Sequence, residues 1–410
     1  METRIQRPVF SVSDENAHVV GLGKMNANKT GKDVKRAALG DIANNRLPSA
    51  GLNQSILPKS KLPVLKPGFN LTKTKSTTVS KSKLTSLKEN QVPGVVPQKS
   101  SNLKTIIDKT RTLKIQHKKP VIERPPGVED IDKDDAKNPF LLSAYTMDIY
   151  EYLRSLERSH PIKEDYLKDH KEITPKMRAI VVDWLVEVQL EYRLLQETLH
   201  ITVGILDTYL QSNPKVDKNK MQLIGIAALF LATKYEEITV PSADELVYIS
   251  ASAFKERDLY LMEMEMFKKI GFDISRPISL NFLRRFSKAA FAHAEHHTYA
   301  KYFLELALIE YKLCHIHPSL VAAAALYLAL FVKSTAEEID ESLWTKTLEY
   351  YSGYKMDDIK PILLVLAKTV YNARTSKLQS VVQKYATSKL FKVSMHAELY
   401  SDRMKKLASQ

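Results

Sequence analysis

An all-α protein, built of two similar helical halves behind a long basic N-terminal tail, is the fold class that three observations predict. Beyond about residue 138, apolar residues recur at spacings of three and four, glycines are few, and the pattern starts afresh after Arg276 and Pro277. Strand signals are scarce throughout. At 410 residues the chain is long enough for two domains and a tail.

The tail comes first. Met1 to Arg124 holds 24 basic and 8 acidic residues, against 37 and 39 in the remainder, so the net charge of +14 belongs to the first third. From Met1 to about Asp135 the only aromatic side chains are Phe10 and Phe69. Such a segment buries too little apolar surface to offset its ordering entropy, which predicts disorder over 1–135. With almost no rings for base stacking, the charge reads as solvation and no specific nucleic acid is expected as a partner. Cys314 is the only cysteine, which excludes an intrachain disulfide and a multi-cysteine zinc site and fits a reducing compartment. No segment has the apolar run of a signal peptide or of a membrane span, so secretion and membrane partners are not expected.

The helices follow in order. Thr174 and Pro175 supply an N-cap and a first-turn proline, after which Met177, Ile180, Val181, Trp184, Leu185 and Val188 mark an amphipathic helix. Asp217 precedes a second helix running through Lys234, in which Leu223 to Leu231 leave almost no polar face; a helix apolar all round must be central. Pro241 and Ser242 start another, and Lys255 to Ile270 makes one more before Gly271 stops it. After the junction come SLNFLRRFSKAAF, HTYAKYFLELALIEYKL and PSLVAAAALYLALFVK, the last again apolar on every side. Two halves, each round an Ala-rich buried helix, suggest a duplicated helical domain.

No phosphate-binding loop, dinucleotide fingerprint, nucleophile elbow or zinc-protease helix motif occurs, so neither a kinase nor a hydrolase reading has support, and no catalytic residue or cofactor is expected. His293, His296 and His297, with His315 and His317 later, lack the matched spacing of a metal site and read as ordinary histidines.

The helix MRAIVVDWLVEVQLEYRLLQETLHITV, then ATKYEE, DISRPISLNFLRRFSKA and EYYSGY, together resemble the cyclins and among them the B type. KYEE and FLRRFSK favour that type over the A type. The single cysteine argues against a transcription factor of similar fold with a zinc ribbon. The resemblance covers roughly residues 138 to 395. It implies two tandem five-helix boxes, at 138–273 with a preceding helix near Pro139 to Glu157 and at 274–395, leaving 396–410 as a C-terminal tail. It further implies a G2/mitotic regulatory subunit, not an enzyme, that binds and activates a mitotic cyclin-dependent kinase. Lys234 and Glu263 match the family's grip on the kinase's mobile helix, with Leu231, Tyr235, Tyr145 and Ile149 packing on the same partner. From texture alone, Lys234 reads as capping its helix and Glu263 as solvated; only the resemblance turns them into a grip on a partner.

Met177, Ile180, Val181 and Trp184, with Glu187 and Gln222 as rim, match the family's docking patch for Arg-x-Leu substrates; the same stripe would also serve as plain core. Val181 stands where the family usually has Leu, and the lost methylene is worth about 0.8 kcal/mol. Arg178 and Asp207 match a pair that ties two helices. In the tail, RAALGDIAN fits the full destruction-box form at Arg36, Leu39, Gly40, Ile42 and Asn44, and Lys88, Glu89 and Asn90 spell a KEN box. These motifs imply the anaphase-promoting ubiquitin ligase as a second partner and destruction at mitotic exit. The localisation expected is cytoplasmic and nuclear, changing with the cell cycle.

Overall fold

The computed structural model describes residues 124–410, and among them every regular element is helical. The motifs at Arg36 to Asn44 and Lys88 to Asn90 lie outside the described residues. Two bundles of five helices follow a single leading helix, α1 (Thr146–Ser159). The first bundle holds α2 (Pro175–Glu191), α3 (Gln196–Ser212), α4 (Met221–Glu236), α5 (Ala243–Ile249) and α6 (Glu256–Lys269). The second holds α7 (Ser279–Ala289), α8 (Ala294–Ile309), α9 (Pro318–Lys333), α10 (Lys346–Ser352) and α11 (Met356–Ala373), and two short helices follow, α12 (Ser380–Lys384) and α13 (Asp402–Ala408).

Local chemistry sets the ends. The Thr174 hydroxyl accepts the Met177 N–H at 3.3 Å and Pro175 opens α2, so two of the unpaired features of a helix start are dealt with by adjacent residues. Ser242 N–H donates to the Glu245 carboxylate at 2.8 Å, half of a capping box that starts α5. Gly271, at φ +72°, takes the left-handed turn that stops the chain after α6.

Each bundle is organised round its apolar helix. α4 packs on α2, α3 and α6, and α9 packs on α7, α8 and α11. Ile224, Ile226, Ala227, Ala228 and Leu229 of α4, and Ala322 to Ala329 of α9, have no exposed surface. The alanines let neighbouring helices approach closely, and at Gly225 α4 meets α2 with no side chain at all: a Cβ there would stand 2.8 Å from Val181 Cγ1.

The packed body extends beyond both expected limits. The tail was expected to run to residue 135, but Ile131 and Asp132 are buried, and Asp132 takes both terminal nitrogens of Arg285 at 2.6 and 2.7 Å. Residues 396–410 are not a tail either. α13 packs on α11 with Met404 and Leu407 buried, and Arg403 donates to the carbonyl of Val332 in the last turn of α9 and to those of Ser334 and Ala336 just beyond it. Both segments were misjudged because charged residues crowd the few apolar anchors that hold them.

The bundles are joined through buried polar groups. Arg178 of α2 and Asp207 of α3 form a two-pronged pair at 2.7 Å, to which the Tyr166 hydroxyl adds a bond at 2.8 Å, and the same guanidinium donates to the Leu308 carbonyl at the end of α8. Burial alone would lower the Arg178 pKa, but the Asp207 carboxylate more than offsets it and the guanidinium stays charged. Glu305 of α8 receives Lys384 of α12 at 2.7 and 2.8 Å and the Tyr385 hydroxyl and the Gln196 amide at 2.9 Å, while Lys384 also reaches Gln189 of α2. Every charge in this seam has a partner, which is what makes its burial tolerable.

Candidate functional site

α4 emerges from the core at its C-terminal end. Its last turn carries Lys234, where a cation is favoured by the helix dipole and by the unpaired carbonyls. The Lys234 ammonium lies 2.5 Å from Glu263 Oε1 on α6 and 3.8 Å from the centre of the Phe230 ring. The lysine side chain is 43% exposed and the carboxylate 15%, so the pair stands at the surface with its acid half sheltered. An ion pair so exposed adds little stability, in the range of 0 to about 1 kcal/mol. Its donors and acceptors remain available for exchange with an incoming group.

The two helices that carry the pair also present apolar side chains to solvent. Tyr235 and Ile238 at the end of α4, and Tyr260, Leu261 and Met264 on α6, are exposed, and Phe230 packs against Tyr260 with ring centres 6.1 Å apart. α6 buries Leu259, Met262 and Met266 on one stripe and offers a second stripe to solvent. The sequence reading missed this second stripe; its signal was an amphipathic helix with three more large apolar residues than one face can hold. Large apolar residues gathered at the surface mark a protein-binding face.

The structure brings Lys234, Glu263 and Tyr235 together. Tyr145 and Ile149 are also exposed, on or beside α1, a helix whose bonds run to the second bundle: Tyr150 to the Asn281 carbonyl and Glu157 to Ser319. Leu231 does not join them. At 6% exposure it lies in the core of the first bundle, one helical turn from the position that faces out, and can only support the face from beneath.

The expected docking stripe divides. Met177, Ile180 and Trp184 are half-buried and Glu187 is exposed, at positions spaced three and four along one edge of α2. Val181 is fully buried against Gly225, and Gln222 is buried on α4, so neither belongs to an open patch. The rim is also partly occupied: the Ser380 hydroxyl donates to Asp183 at 2.8 Å and lies 3.1 Å from Glu187. Burial raises the Asp183 pKa.

Among the described residues no group of three histidine, cysteine or acidic side chains is arranged to hold a metal. His293 and His296 stack at 5.7 Å, and His297 instead bonds the Ser287 hydroxyl at 2.8 Å, its pKa driven down to about 3 by burial. Among the same residues, no helix is long and apolar enough to cross a membrane.

Comparison with known proteins gives two family matches in tandem. Residues 148–275 match the model "Cyclin, N-terminal domain" and residues 277–399 the model "Cyclin, C-terminal domain". A G2/mitotic-specific cyclin-B of Patella vulgata is 44% identical over 275 residues, 67% of this chain and 65% of that protein, so the match spans slightly less than two thirds of that relative. A G2/mitotic-specific cyclin-B1 of Anguilla japonica is 43% identical over 69% of each chain. A G2/mitotic-specific cyclin-B2 of Rana japonica is 37% identical over 405 residues, 97% of each.

Proposed function

The chain belongs to the cyclin family, and within it to the B type; on that premise we propose that it is a G2/mitotic regulatory subunit that binds and activates a cyclin-dependent protein kinase. The observation that carries this reading is the Lys234–Glu263 pair standing among uncovered apolar side chains at the exit of a helix otherwise sealed in the core. The apolar area would supply most of the attraction. The lysine and the acid, each able to trade its internal bond for one to the partner, would fix where the partner's mobile helix sits. A charge-assisted hydrogen bond in a desolvated interface is worth about 1.5–3 kcal/mol, enough for two such bonds to orient a partner held by area.

Activation of this kind needs no catalytic group on the subunit. It requires that the subunit bind one arrangement of the kinase better than the other, so that the population shifts to the arrangement with its lysine, glutamate and metal-binding residues aligned. The reading extends to two further surfaces. The edge of α2 formed by Met177, Ile180, Trp184 and Glu187 would dock substrates carrying Arg-x-Leu, with Glu187 facing the arginine. The motif at Arg36 to Asn44, seconded by Lys88 to Asn90, would deliver the chain to the anaphase-promoting ubiquitin ligase, which makes abundance the control variable. Location would be both cytoplasmic and nuclear and would change with the cycle.

The test is a double substitution, Lys234→Ala with Glu263→Ala. Phosphotransfer by a co-purified mitotic kinase should fall at least tenfold while the helical circular dichroism and the unfolding midpoint stay unchanged. Full activation by the folded double variant would overturn the reading.

A further inference from the structure

Where the two bundles meet, a partly open cavity of about 120 Å³ is lined by α3, the linker from Asp273 to Ser279, the end of α8 and the first turn of α9. Its walls are mostly aliphatic, with Ile201, Ile205, Ile278, Leu304, Leu308 and Val321 among them. Arg276 stands on this wall. Its stem runs against Gly204, where a Cβ would be 3.9 Å from Arg276 Cδ, and its guanidinium has no hydrogen-bond or ion-pair partner among the described residues.

The nearby carboxylates are already engaged. Asp207 is held by Arg178 and Tyr166, Glu157 by Ser319, and Asp273 by Ser275 and His160. Burial pulls the Arg276 pKa down and the Asp207, Cys314 and Glu157 charges only partly offset it, although the side chain keeps some contact with solvent. His200, on the same wall, is buried with Nε2 unpartnered. A polar group left in this state calls for a missing partner, and the seam around it shows how thoroughly the other buried charges are matched.

We propose that this cavity binds a small aliphatic carboxylate, with its oxygens on the Arg276 guanidinium and its hydrocarbon end against the isoleucine and leucine walls. A guanidinium presents a planar fork that fits a carboxylate with two parallel bonds. Size sets the rest. An apolar cavity of about 150 Å³ accommodates benzene, so this one takes about six heavy atoms or slightly fewer, the size of butyrate. Phosphate suits it less, because the aliphatic walls leave its remaining oxygens without donors. The ligand would touch α3 of the first bundle and the linker, α8 and α9 of the second, and so would strengthen the joint between them. This site is independent of the kinase-binding reading.

The probe is sodium butyrate, titrated into the full chain by calorimetry and by thermal unfolding, against butyramide and matched sodium chloride. Butyrate should bind saturably and raise the unfolding midpoint above the chloride control. Butyramide, and butyrate with Arg276→Met, should bind roughly tenfold to a hundredfold more weakly, as expected for loss of a charge-assisted bond. Equal binding of butyrate and butyramide removes Arg276 as the anchor, and absence of saturable binding leaves a cavity holding solvent only. Should Arg276→Met fail to fold, the two ligands on the unaltered chain still decide the matter.

Discussion

At Gly225 the contact between α2 and α4 is so close that an added methyl would meet Val181 Cγ1 at 2.8 Å and Leu185 Cδ1 at 3.5 Å. A longer side chain at position 181 therefore has no free volume. Val181→Leu should cost about 1–3 kcal/mol in urea unfolding, through overpacking, and should leave the affinity for an Arg-x-Leu peptide unchanged. His200 sets a second expectation. Its pKa is lowered to about 4, chiefly by burial, with Lys384 and Arg284 adding to the effect and Glu305 and Glu197 opposing it. In the unfolded chain a histidine titrates near 6.5, so between these values the unfolded state holds more protons and stability falls as pH drops from about 6.5 to about 4. His200→Leu should remove up to about 3 kcal/mol of that acid sensitivity, measured as the difference in unfolding free energy between variant and parent at pH 7 and pH 4.5. At this scale the sequence was legible only in part. Lys234 and Glu263 could be named from the resemblance and do meet, but Ile180 and Val181 are adjacent apolar residues on the same broad apolar face of α2. Spacing alone does not tell which of the two looks outward.

Between elements, the bond from Asp207 to Arg178 joins α3 to α2, and the further bond from Arg178 to the Leu308 carbonyl adds α8. Asp207→Asn would leave a buried guanidinium with no charge partner and with one of its two acceptor oxygens replaced by an amide donor. It should lower stability by about 3–5 kcal/mol in urea unfolding, whereas breaking the solvent-exposed Lys406–Glu338 pair should leave the unfolding midpoint unchanged. Helix starts could be read from Thr174, Pro175, Ser242 and Pro318, because capping depends on residues adjacent in the chain. The Glu305–Lys384–Gln189 seam could not, because the partners of Lys384 lie 79 and 195 positions away from it. Nothing in local composition encodes such pairings.

For the molecule as a whole, the two bundles were legible because each needs one helix without a polar face, and α4 and α9 are unmistakable in that respect. Their margins were not. A fragment beginning at residue 138 lacks Ile131 and Asp132 and leaves Arg285 buried beside the Tyr351 ring with no carboxylate. It should unfold about 3 kcal/mol or more below a fragment beginning at residue 124, compared by chemical denaturation. The seam that links α2, α3, α8 and α12 carries a further consequence. A surface already stiff before any partner arrives surrenders little configurational freedom on docking, so whatever ordering the encounter demands falls on the other molecule.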